Sequence, residues 1–216
     1  MSLFWIPLAG LFAMDRRAAF NFMLSRPFVV SAIMGLIGDN LIWCLIGGIF
    51  FEIIGLMDLP VGTKISRDDT FGAFAYSLTV ITCYIHSYDA ALVALVLSFI
   101  MMLPSTLTVR YRRHVNAQLF TIFQERSWLE RHEGLLMFIG ELLSFIRGMF
   151  IYSIGALIVI FLYALIYRHV ISDIPTSALI LLCCLFGGYF SGFFQARGWS
   201  KMLFLFAGGA AQWLIS

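Results

Sequence analysis

Residues 27–57, PFVVSAIMGLIGDNLIWCLIGGIFFEIIGLM, form an apolar run broken by five glycines and carrying two carboxylates, Asp39 and Glu52. A spanning helix takes about 20 apolar residues, so this run is too long for one ordinary span. Two short segments meeting near Asp39-Asn40, or a re-entrant hairpin, fit its punctuation better. An aspartate at the centre of a membrane helix costs roughly 2.5–3.5 kcal/mol. Irregular backbone at that depth survives only where protein covers it or a water-filled cavity borders it. The run therefore describes a binding site within a membrane rather than an anchor.

Composition agrees. Of 216 residues, 61% are hydrophobic and 12% charged, against about 45–50% and 25% in an average soluble domain. The expected fold is an all-α polytopic membrane protein of about six to eight membrane segments, including short re-entrant or broken helices. No polar linker divides the chain, so residues 1–216 are expected to form a single domain. A net charge of +2 and the lack of a long basic tract argue against a nucleic-acid partner. Cys44, Cys83, Cys183 and Cys184 lie in apolar segments without CxxC spacing, which reads as buried small hydrophobes rather than a metal or redox site. Arg16 and Arg17 follow the first apolar stretch instead of preceding it. That order is opposite to a secretory signal peptide, and the stretch is expected to stay in the fold.

The remaining segments vary in length. Residues 1–14 are apolar but short, and 71–86 and 89–108 read as a pair of spans joined at Ser87-Tyr88-Asp89, with Pro104 near the end of the second. Residues 110–134 carry Arg110, Arg112, Arg113, Arg126 and Arg131 among acidic and apolar residues. They read as an interfacial connector on the cytoplasmic side by the positive-inside rule. Residues 135–147 read as another short segment, 149–167 as the cleanest span, and 176–196 and 202–215 close the chain.

Glu52 has no charged neighbour within five residues. It reads as an acceptor for ligand hydroxyls, since a carboxylate takes several hydrogen bonds from a polyol; a helix-end carboxylate reaching the interface is the plainer alternative. Asp39-Asn40 reads equally as part of such a site or as the cap of a half-helix. Asp68 or Asp69 suits an N-cap after the loop at 58–66. Asn21 with Arg26-Pro27 suits a helix entrance. Glu141 is expected to pair with Arg147. Catalytic signatures are lacking: His132-Glu133 is not HExxH, because Leu136 takes the second histidine position.

Ser25-Arg26-Pro27, then Gly38-Asp39, Gly47-Gly48, Glu52, Leu59-Pro60-Val61-Gly62 and Asp68-Asp69-Thr70 resemble the membrane subunit IIC of the mannose–sorbose family of bacterial sugar phosphotransferase systems. The upstream Asp15-Arg16-Arg17-Ala18-Ala19-Phe20-Asn21 looks like that family's opening segment. The resemblance is dense over 15–70 and looser beyond. It implies a multi-pass bacterial inner-membrane permease subunit, paired with a second membrane subunit, IID, commonly as a trimer of heterodimers. Hexose-type sugar would cross by alternating access and be phosphorylated by the phosphohistidine of a soluble IIB subunit, itself supplied by IIA. IIC would not itself be an enzyme and would need no cofactor. Glu52, Asp39, Asn21 and Asp68 are the residues expected to line the sugar site. A regulatory or scaffolding membrane subunit that has lost transport is the rival reading, and an unrelated exporter or channel rests on hydropathy alone.

Overall fold

Every regular element among the described residues (4–15, 22–57, 67–124 and 133–169) of the computed structural model is helical. The chain divides into two compact units, Met1–Leu165 and Ile166–Ser216. Helix α1 spans Trp5–Asp15. Helix α2, Pro27–Ile37, opens on Pro27, where a missing N–H costs nothing. It ends because the Gly38 and Asn40 N–H groups fold back onto the carbonyls of Met34 (2.8 Å) and Gly35 (2.9 Å), with Asp39 left-handed at φ 53°. That is a Schellman stop, and aspartate holds the position that glycine usually takes.

Helix α3, Leu41–Met57, returns along α2. The apolar run is thus a helical hairpin broken at Gly38–Asn40, as its glycines suggest. At about 1.5 Å per residue, α2 is roughly 16 Å and α3 roughly 25 Å long, both short of a hydrocarbon core of about 30 Å. The glycines also set the packing. A Cβ on Gly48 would come within 2.7 Å of Ser31 Cβ on α2, and one on Gly47 would enter the ring of Tyr76 on the next helix.

That next helix, α4 (Asp69–Cys83), is the centre of the fold, with every residue from Asp69 to Val80 buried. It packs on α2, α3 and α5, and Ser77 donates its hydroxyl to Ser31 of α2 at 3.1 Å. Left-handed Tyr84 (φ 51°) ends it, so the turn to the following helix falls at 84–87, slightly earlier than the expected Ser87-Tyr88-Asp89.

Helix α5 runs unbroken from Tyr88 to Gln124 through Pro104. The arginine-rich stretch up to Gln124 is therefore a continuation of the preceding helix and not a separate connector. Neighbouring hydroxyls turn back on the helix around the proline: Thr106 donates to the Met102 carbonyl at 2.8 Å and Thr108 to that of Ser105 at 2.7 Å. Such bonds help a helix carry a proline through an apolar environment.

Residues 135–147 and 149–167 are likewise one helix rather than two. Helix α6 (Glu133–Arg147) passes through a π turn, Gly148–Tyr152, into α7 (Ser153–His169). Gly148 does not break the helix; one extra residue is absorbed in the wider turn. Gly148 is required there, because a Cβ would meet Ala13 Cβ and come within 2.9 Å of the Ala9 carbonyl where α1 crosses.

Two stretches, Tyr88–Arg112 and Phe138–Tyr167, are long and apolar enough to cross a membrane, and Trp5–Asp15, Pro27–Ile37 and Leu41–Leu56 are shorter apolar helices. The remaining segments of the expected six to eight, at 176–196 and 202–215, lie outside the described residues, as do Asn21 and the loop at 58–66.

Candidate functional site

Polar groups gather where the end of α1, the start of α2, the second half of α3 and the start of α4 converge. Asp15, 5% exposed, closes the turn before α2 by accepting the N–H groups of Phe22 (2.8 Å) and Ser25 (2.9 Å). The Ser25 carbonyl accepts the Thr70 hydroxyl at 2.7 Å, tying that turn to α4. Glu52 reaches across from α3. One oxygen meets the Arg26 guanidinium at 3.3 Å and the other accepts the Phe28 N–H at 3.2 Å. The carboxylate therefore caps the positive end of α2, where an anion is favoured. A carboxylate offers about four lone-pair sites, and these two bonds leave capacity for ligand hydroxyls. Arg26, 51% exposed beside it, can donate to the same ligand. Asp69 lies against Gly55 of α3, where any Cβ would strike its carboxylate.

Deeper in, Asp68 is fully buried. Its carboxylate accepts the Tyr152 hydroxyl at 2.6 Å, the Ser105 hydroxyl at 2.8 Å and the Arg147 guanidinium at 3.0 Å. Arg147 is held in turn by the Ser105 carbonyl (3.1 Å) and the Thr108 hydroxyl (2.8 Å). The expected partner of Arg147, Glu141, is replaced by Asp68. Asp68 occupies the N-cap position of α4 without a side-chain capping bond, because its carboxylate is drawn inward. Enclosed by three donors, it positions α4, α5 and the π turn against one another instead of meeting a ligand directly.

The opposite end of the hairpin holds Asp39 and Asn40. Glu52 lies 11 residues beyond the first residue of α3, about 16 Å along the axis at 1.5 Å per residue. Asp39 and Glu52 therefore cannot line one small site, contrary to the expectation that both line the sugar site. The apolar run is continuous in sequence, but once its break is fixed at 38–40 about three turns of α3 hold the two acids apart. Asn21 lies outside the described residues.

Sequence reasoning passed over Arg26, Asp15, Ser105 and Tyr152. Arg26 and Asp15 drew notice only within a helix entrance and the family resemblance, with no contact assigned to either. Tyr152 carried a usable signal, since a buried tyrosine hydroxyl normally finds a partner. Against the known protein families and the characterised proteins, the chain shows no match.

Proposed function

We propose that the chain is the sugar-translocating permease subunit IIC of a mannose–sorbose-type phosphotransferase system, a multi-pass subunit of the bacterial inner membrane. It works with a IID membrane subunit, and a IIB subunit phosphorylates the sugar in trans. The observation that carries this reading is the hairpin α2–α3. Its two helices are too short to span alone, and Glu52 and Arg26 form a half-buried charged pair at its foot. Non-spanning helix pairs with charged groups are the elements from which intramembrane binding sites are built. A carboxylate beside a guanidinium presents acceptors and donors together, which suits a polyol.

The test is uptake of a panel of labelled hexoses by cells with and without the gene, repeated with Glu52→Gln. Glutamine keeps the length of the side chain, and its amide oxygen can still accept the Phe28 N–H, so assembly is expected to persist. A hydrogen bond to a charged group contributes roughly 1.5–3 kcal/mol, so apparent affinity for the sugar should fall about tenfold or more. Normal transport by Glu52→Gln, with failed assembly of Glu52→Ala, would reduce Glu52 to a cap.

The arginines of α5 support one orientation. Arg110, Arg112 and Arg113 cluster at the C-terminal end of a stretch of spanning length, Tyr88–Arg112, and should lie on the cytoplasmic side. A cysteine at Asn116 is expected to react with an impermeant maleimide only after the cells are opened. Labelling of intact cells would invert the topology.

A further inference from the structure

A groove of about 530 Å³ opens at the hairpin tip, lined in part by Asp39 and Asn40 from the α2–α3 turn, by Trp43 from the first turn of α3 and by His86 from the α4–α5 turn. Small-molecule sites fall in the range of about 300–1,000 Å³. Among the described residues, none hydrogen-bonds the side chains of Asp39, Asn40 or His86, so their donors and acceptors remain available. The Trp43 ring packs on Tyr88 with centroids 5.1 Å apart, which steadies an aromatic wall. A carboxylate, an amide and an imidazole beside an indole are the chemistry that recognises a sugar: hydrogen bonds for the hydroxyls and a ring face for the C–H side.

The groove's position along the fold adds to this. Tyr88 begins α5, and Arg110 lies 22 residues further on, about 33 Å at 1.5 Å per residue. The groove and the arginines therefore sit at opposite ends of a bilayer-length helix. If the arginines face the cytoplasm, the groove faces out. The half-buried Trp43 and the exposed Tyr84 and Tyr88 around it are the residues that concentrate at a membrane–water interface.

Asp39 is a further sign. Its left-handed φ of 53° belongs to the position after a helix where glycine avoids the Cβ penalty. The chain bears a carboxylate there, in the turn between the negative end of α2 and the positive end of α3. We propose that this groove is an outward-facing capture site for a hexose, from which sugar passes to the Glu52–Arg26 region. The proposal rests on the permease reading above.

Asp39→Gly separates backbone from chemistry, because glycine fits the turn at least as well as aspartate. The experiment is initial-rate uptake by cells carrying the full chain with its native partners, using a hexose that the wild type transports. KM is expected to rise tenfold or more for Asp39→Gly, with Vmax within twofold and membrane abundance unchanged. Asp39→Asn, which tolerates the same backbone and keeps one acceptor, should recover part of the loss. If Asp39→Gly fails to reach the membrane, His86→Ala carries the same expectation. A wild-type KM in the variant that reaches the membrane overturns the capture site and leaves the permease reading standing. No uptake of any hexose by the wild type overturns both.

Discussion

Arg147→Ala is expected to destabilise the protein by about 3–5 kcal/mol, because it leaves a buried carboxylate without its counter-charge. Asp68 is fully buried and Arg147 is 12% exposed, so water does not replace the lost partner. The Tyr152 and Ser105 hydroxyls remain, but two neutral donors compensate an anion only in part. The measurement is the unfolding midpoint of the detergent-solubilised protein, together with its abundance in the membrane. Adding Asp68→Asn to Arg147→Ala removes the stranded charge and should restore part of the loss. The coupling between the two changes is then large and opposite in sign to the single-variant cost. A loss below about 1 kcal/mol for Arg147→Ala would fit an exposed pair and would remove the network from the centre of the fold.

The second large effect sets two identical substitutions against each other. Gly47→Ala places a methyl group in the ring of Tyr76. That ring is fully buried, and its hydroxyl is tethered to the Trp43 carbonyl at 3.1 Å, so it has no room to retreat. Overpacking of this kind costs about 1–3 kcal/mol. Gly140→Ala, in α6, meets no atom within 4 Å and should stabilise the helix by roughly 0.5–1 kcal/mol. Thermal denaturation of the two variants side by side is expected to move the midpoint in opposite directions. Equal behaviour would mean that α3 and α4 are not in such close contact.

How much of this was legible in the sequence follows from the range of each interaction. The hairpin was legible because its signals are local: Pro27 starts a helix, and Gly38-Asp39-Asn40 stops one and starts the next. The all-helical character followed from apolar segments too long and too continuous for anything else. The course of α5 beyond Pro104 was hidden, since proline and a run of arginines usually mark an end. Here the helix persists through both, with hydroxyls turning back on the backbone around the proline. The Asp68–Arg147 pair was out of reach, because 79 residues separate its members and nothing local marks one as the other's partner. The distance between Asp39 and Glu52 could have been computed from helical rise alone, once both the break and the continuity of α3 were granted. The π turn has no compositional signature and had to be seen.

That turn also changes how the residues of its helix must be counted. Arg147 and Tyr152 are five apart yet both reach Asp68; on a regular α-helix, partners on one face are three or four apart. A π turn inside an α-helix holds one surplus residue, and the helices on either side keep the phase of an uninterrupted rod. For purposes of register, residues 133–169 behave as a helix one residue shorter than its length. A single deletion within Gly148–Tyr152 should therefore leave the outward faces of both flanking helices in place, whereas the same deletion elsewhere in this helix would rotate everything beyond it by about 100°. An alignment of this segment with any other chain has to allow one gap there before its exposed and core-facing positions coincide.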